Sequence, residues 1–247
     1  MKHDINIEKA GGSFSKFHIM AFLGLMICNS SGNCLVYNLV YLLLFPKYEC
    51  INALGESTPC KRLQTCQTTS FTEELTLENW VQKFDLRCES NLTIGSFGSI
   101  FFIGKVLGMI FLSHLGDSIG RIRLLRISLT ATFLCYFSMT FWIHDSKTLL
   151  VPMFFAGLFS CWRTNLAFIY AQEIFQTKFK SLVGTIYMVN DVLTIVWSTI
   201  FYKYVSKKWE HFFMIVEALM ILSIVILFKM PESPSFLLDK GQYSESE

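Results

Sequence analysis

Charge is scarce in this 247-residue chain: Asp, Glu, Lys and Arg together make up 16% of it, against roughly a quarter in an ordinary soluble domain. There is no basic run, and the net charge is only +2, so the electrostatic footprint of a nucleic-acid binder is missing. No Gly-x4-Gly-Lys loop occurs, which leaves ATP-driven chemistry without a phosphate cradle. None of the eight cysteines forms a Cys-x-x-Cys pair, which argues against zinc, and no metal or cofactor is expected. His, Ser and Cys nowhere cluster as nucleophile and base, and His114 is a lone histidine in an apolar setting. The chain therefore does not read as an enzyme.

Apolar residues fill the space that charge leaves. They account for 52% of the chain, with 24 phenylalanines and a mean hydropathy of +0.44. Six apolar runs, at about 17–45, 93–115, 124–143, 149–172, 182–204 and 211–230, each approach the ~20 residues that cross ~30 Å of hydrocarbon. The first is interrupted by Asn29-Ser-Ser-Gly-Asn33 and resembles no cleavable signal peptide. The expectation is an all-α membrane protein with six transmembrane helices. An even number of spans puts both termini on one side. Lys2, Lys9 and Lys16, then Arg121, Arg123 and Arg126, then Lys178 and Lys180 favour the cytoplasm, while Lys203, Lys207 and Lys208 argue the other way.

One joint is long. The polar segment at about 46–91 would then be extracellular, and it holds Cys50, Cys60, Cys66 and Cys88. Two disulfides in an oxidising space, with three possible connectivities, compete with four free thiols. Cys28, Cys34, Cys135 and Cys161 lie in apolar runs and read as small packing residues.

Between the second and third runs stands Leu115-Gly-Asp-Ser-Ile-Gly-Arg-Ile-Arg123, a glycine-hinged, charged turn. It resembles the loop signature G-x-L-A-D-R-x-G-R of the major facilitator superfamily of transporters, matched at Leu115, Asp117, Gly120 and Arg121. Ser113, Ser118 and Ile122 depart from it. Four further segments resemble the organic cation, anion and carnitine branch of that superfamily. Asn79-Trp-Val-Gln-Lys-Phe-Asp-Leu-Arg-Cys88 looks like W-x-x-E-[FW]-D-L-V-C, and Phe101-Phe-Ile-Gly-Lys-Val-Leu-Gly108 looks like F-F-x-G-x-x-x-G. Glu173 with Lys180 is similar to E-x6-R, and Pro231-Glu-Ser-Pro-Ser-Phe-Leu-Leu238 to P-E-S-P-R-W-L-L.

The resemblance implies the N-terminal six-helix half of a transporter. The parts would be a cytoplasmic N-terminus (1–16), helix 1 (17–45), an extracellular loop (46–91), helices 2–6 (92–230) and the start of a cytoplasmic linker (231–247). Such proteins rock two halves about a central site, so one mouth must be latched by breakable contacts. A surface ion pair contributes only ~0–1 kcal/mol, so a latch needs several. By resemblance, Asp117 caps a helix of the other half, Gly120 hinges the turn, and Arg121, Glu173, Lys180 and Glu232 form the cytoplasmic network. Lys180, Ser235 and Ser118 stand where the family carries Arg, which predicts a looser latch and a bias to the inward-open state. The alternative for these charges is plain topology.

Lys105, Arg163, Asp191 and Glu217 fall inside apolar runs, where each costs at least ~2.5–3.5 kcal/mol unless it faces water or a partner. Arg163, Lys105 and Asp191 are the candidate substrate or cavity residues, Arg163 first; pairing within the bundle is the other reading. Glu217 is expected to snorkel. Asn29, Asn33 and Asn38 suggest a cavity-facing stripe, and Gly104 with Gly108 a close helix approach. Tyr37, Trp162, Tyr170 and Trp197 could stack on a cation, although most aromatics here should be packing. The expected partners are membrane lipid, a small organic ion, and either a missing C-terminal half or a second copy. The location expected is the plasma membrane. A half-transporter that binds a partner without transporting is the competing function.

Overall fold

A computed structural model describes residues 16–46, 48–51, 57–59, 70–71, 77–175, 177–233 and 236. Six long helices dominate it: α1 (Lys16–Leu42), α2 (Asn91–Ile119), α3 (Arg121–Phe141), α4 (Leu150–Ile174), α5 (Thr177–Tyr204) and α6 (Trp209–Phe228). Each carries one of the apolar runs. The Asn29–Asn33 stretch does not break α1, which is helical throughout. A helix satisfies its own backbone hydrogen bonds, as a segment in hydrocarbon must.

Five of the six are long and apolar enough to cross a membrane by themselves: His18–Leu42, Asn91–Phe111, Arg121–Phe141, Lys178–Tyr204 and Trp209–Phe228. The exception among the described helices is α4, whose 25 residues include Arg163 and Asn165. It sits at the centre of the bundle against α1, α2, α3 and α5, where Arg163 is buried and Asn165 half-buried.

The chain is not purely helical. Strands β1 (Tyr48–Ile51), β2 (Ser57–Pro59) and β3 (Ser70–Phe71) form a small antiparallel sheet in the order β2-β1-β3, with Cys50 opposite Thr58. This segment lies outside the apolar runs, so strand pairing supplies its backbone partners. Cys60 and Cys66 lie outside the described residues.

Small residues set how closely the two most extensively packed helices approach. A methyl group on Gly104 or Gly157 would collide with the carbonyl of Phe154 or Phe101 respectively, and one on Gly108 would stand 2.6 Å from the Leu158 carbonyl oxygen. Trp162 of α4 donates from Nε1 to the Gly108 carbonyl at 2.7 Å, using its polar edge as a strut between α4 and α2.

At the opposite end of α2 from Gly120, the segment before that helix works as a clasp. Asn79 caps the one-turn helix Trp80–Lys83 through Val81 N at 3.1 Å. Its amide also donates to the Tyr41 and Leu44 carbonyls at the end of α1, at 2.9 and 2.7 Å. Trp80 is fully buried against Phe97 and Trp209. Glu78 pairs with Lys208 at 3.2 Å and exchanges backbone hydrogen bonds with Lys207 and Trp209. Lys83 reaches Glu210 at 3.7 Å and lies 4.8 Å from the Trp209 ring. Burial lowers its pKa, and Glu210 opposes that shift.

Candidate functional site

Three polar side chains at helical spacing on α1, Asn29, Asn33 and Tyr37, lie on one face of the helix. All three converge on Asp191, halfway along α5. Asn33 Nδ2 donates to Asp191 Oδ1 at 2.6 Å, Asn29 Nδ2 to the same oxygen at 3.3 Å, and the Tyr37 hydroxyl to Oδ2 at 2.7 Å. Asn190, one residue earlier, donates to Ser30 Oγ at 2.7 Å and to the Met26 carbonyl at 3.1 Å. Further along, Asn38 donates to Ser198 Oγ at 2.9 Å. The α1–α5 seam is thus a continuous polar ladder inside an apolar bundle.

Arg163 enters from α4. It is completely buried, and four of its five N–H donors have protein acceptors within reach. Nη1 donates to the Cys28 and Asn29 carbonyls at 2.7 and 3.3 Å. Nη2 donates to Asn33 Oδ1 at 2.8 Å, with Ser160 Oγ and Thr164 Oγ1 each at 3.4 Å. Nε has no partner. Gly32 leaves the room: a Cβ there would collide with the guanidinium. The Asn33 amide therefore joins a cation on its oxygen side to an anion on its nitrogen side.

A second cluster forms at the Gly120 end. The backbone at Gly120 has φ +104°, a left-handed value that only glycine takes without strain, and it joins α2 to α3 through that one residue. Arg121 forms an ion pair with Glu173 at the end of α4, and Ser233 Oγ donates to the other Glu173 oxygen. Glu232 Oε1 accepts from the Ile122 backbone N–H at 2.8 Å, placing a carboxylate at the first turn of α3, where the helix dipole favours it. Arg126 donates to the Leu227 and Met230 carbonyls, and Tyr170 to the Pro231 carbonyl at 2.7 Å. These bonds tie the chain after α6 across the mouth of the bundle.

Of the residues expected at this latch, Gly120, Arg121, Glu173 and Glu232 come together. Asp117 lies in the last turn of α2. Lys180 joins through its backbone alone, accepting from Gln172 Nε2 at 3.1 Å, and forms no ion pair among the described residues. Ser118 Oγ turns back to the Leu115 carbonyl, and Ser235 is outside the described residues. Of the interior candidates, Arg163 and Asp191 join one hydrogen-bonded network, whereas Lys105 on α2 makes no hydrogen bond to it among the described residues and has Nζ 5.9 Å from the Phe101 ring. Glu217 does not snorkel: it is 5% exposed and accepts from Thr140 Oγ1 at 2.7 Å, because its position on α6 faces α3. Tyr170 and Trp162 are committed to backbone carbonyls, and Trp197 is exposed on α5.

The bridging role of Asn33, the capping by Glu232 and the Ser233 contact are not read from sequence. The asparagine stripe is visible there, but neither its partners nor the backbone N–H that Glu232 caps has any sequence signal.

Apolar helices around a buried polar ladder, with a glycine-hinged charged turn at one end, define a helical membrane protein with a polar interior. The family model described as "Sugar (and other) transporter" matches residues 47–247, and the chain belongs to that family of the major facilitator superfamily. It is 25% identical over 174 residues to mouse (Mus musculus) solute carrier family 22 member 16, covering 68% of this chain and 25% of that protein. With human (Homo sapiens) synaptic vesicle glycoprotein 2B the identity is 26%, covering 64% and 25%. With human organic cation/carnitine transporter 2 it is 23%, covering 72% and 32%. The chain thus spans a quarter to a third of these relatives' lengths. The partially occluded inward-open xylose transporter XylE from E. coli shares the fold at TM-score 0.61 and 12% identity, over 93% of this chain and 53% of that one.

Proposed function

We propose that the chain is the N-terminal six-helix half of a membrane transporter that moves small organic ions by alternating access, facilitated or ion-coupled. The observation that carries this is the set Arg163, Asn33 and Asp191, held inside a bundle in which five of the six long helices are able to span a bilayer. Ionisable groups at that depth are costly enough to be kept for a solute or ion path. The contacts of Glu173 with Arg121 and Ser233 supply the breakable latch that one mouth requires. The names of solute carrier family 22 member 16 and organic cation/carnitine transporter 2 support organic ions as the substrate class.

In this reading α4 is the sixth span and both termini are cytoplasmic, with residues 231–247 starting a linker. The membrane is the plasma membrane. Residues 46–91 are extracellular and hold two disulfides among Cys50, Cys60, Cys66 and Cys88, supported by Cys88 being disulfide-bonded. The second cavity wall comes from a C-terminal half or a second copy. The competing reading is a half-transporter that binds a partner without transporting, favoured by Lys180 forming no ion pair among the described residues and by Ser118 and Ser235 at latch positions.

Uptake of radiolabelled organic cations, organic anions and carnitine into vesicles carrying the chain tests the proposal. Uptake of one class above protein-free vesicles, lost in Arg163→Ala and Asp191→Asn, is expected. A correctly inserted chain that moves none of them would overturn the transport reading, and its capture by crosslinking to a protein other than a transporter half or a second copy would establish the competing one.

A further inference from the structure

The two opposite charges joined through Asn33 are not equally available. Arg163 is completely buried, and its guanidinium is enclosed by two backbone carbonyls, Asn33, Ser160 and Thr164. The unpartnered Nε faces the α-carbon of Gly32, where not even a methyl group fits. A solute could reach that cation only after the α1–α4 contact had come apart.

Asp191 is different. Its donors Asn29 and Asn33 are buried, while Asp191 itself is half-buried. Its Oδ1 takes two amide donors, but Oδ2 takes only the Tyr37 hydroxyl. A carboxylate offers about four lone-pair positions, so Oδ2 has capacity for one more donor. Asp191 is near the midpoint of the 28-residue α5, where a partly exposed carboxylate facing lipid would be strongly unfavourable. The surface on which it emerges is therefore the lining of a water-filled or solute-filled space.

We propose that Asp191, not Arg163, is the charged contact for the solute, and that the site therefore selects a cation, such as an organic ammonium, over an anion. Arg163 is a positioning residue. Through Asn33 it fixes the amide that holds Oδ1, and so sets the orientation of the carboxylate. This inference rests on the reading of the interior as a transport site.

The test is equilibrium binding to the full chain in lipid nanodiscs, with radiolabelled tetraethylammonium and radiolabelled benzoate as probes. The expected result is binding of the ammonium in preference to benzoate. Asp191→Asn should weaken ammonium binding by about tenfold or more, and Asp191→Glu should restore most of it. Ile195→Lys leaves the buried network untouched and places an ammonium one turn from Asp191. It should compete for the carboxylate and weaken binding similarly, so the idea stays testable if Asp191→Asn does not fold. Preference for benzoate, binding of neither probe, or ammonium binding unchanged in either charge-altering variant overturns the inference. Ammonium that binds but never crosses a vesicle membrane would leave the inference standing and overturn the transport reading.

Discussion

Arg163 and Asp191 lie on neighbouring helices of one bundle, yet they are joined through an amide rather than directly. Asn33 Oδ1 accepts from Arg163 at 2.8 Å, and Asn33 Nδ2 donates to Asp191 at 2.6 Å. A direct buried ion pair would satisfy both charges and hide both. The interposed amide accepts from the arginine, holds one carboxylate oxygen and leaves the other to the Tyr37 hydroxyl.

Replacing the bridge strands both charges at once. Asn33→Leu removes an acceptor from a buried guanidinium and a donor from a carboxylate, each costing ~1–3 kcal/mol or more for a charged group. A loss of about 3 kcal/mol is expected in thermal unfolding of the detergent-solubilised protein. A change below about 1 kcal/mol would show that Asn33 is not the joint.

Helix spacing can be tested without touching a charge. Gly157→Ala puts a methyl group into the Phe101 carbonyl, and overpacking of this kind costs about 1–3 kcal/mol or more. Gly95→Ala, with nothing within 4 Å, gains helix propensity of up to about 1 kcal/mol. Opposite shifts in Tm are expected, and equal ones would contradict the close α2–α4 approach.

At the Gly120 end, Glu232→Ala removes the carboxylate that accepts from Ile122 N–H and should cost about 1 kcal/mol, as loss of an N-terminal cap does. Glu232→Gln keeps an acceptor oxygen and should cost less. Circular dichroism melts of the two variants check the order; a more damaging glutamine would rule out the capping role.

Restoring arginine at three positions tests the looser latch. The combined variant Ser118→Arg, Lys180→Arg and Ser235→Arg should slow opening at the Gly120 end, read as the rate at which an engineered cysteine there is labelled. An unchanged rate would sink the idea of a weakened latch.

Lys83 sets a pH dependence at the other end. Burial lowers its folded pKa below its ordinary 10.5, despite Glu210 nearby. Between the lowered value and 10.5 the unfolded chain holds more protons than the folded one, so stability should rise with pH across that window. Lys83→Met should remove that rise from a series of melts at increasing pH. A rise of the same size in the variant would assign it to another group.

The helices and the charged turn were legible because both are local. A run of apolar residues long enough to span hydrocarbon forms a helix whatever its neighbours are, and Gly120 is marked by its place between two such runs. The three-stranded sheet was not legible, since its strands are only two to four residues long. The fate of Glu217 was not legible either. Snorkelling and burial against Thr140 differ only in which way α6 is turned, and that rotation is set by packing against α3.

From sequence alone came the membrane class, the apolar runs, the family motifs and a short roster of interior charges. All of these depend on residue type and on spacing along the chain. The tertiary structure decided which charge is sealed and which is open. Asn33, Arg163 and Asp191 are separated by 130 and 158 positions along the chain. Their meeting depends on the rotation and depth of three helices, settled by the glycine contacts of α4 with α2 and by the α1–α5 polar seam. Burial is a property of that packing, and so is the difference in exposure between Arg163 and Asp191.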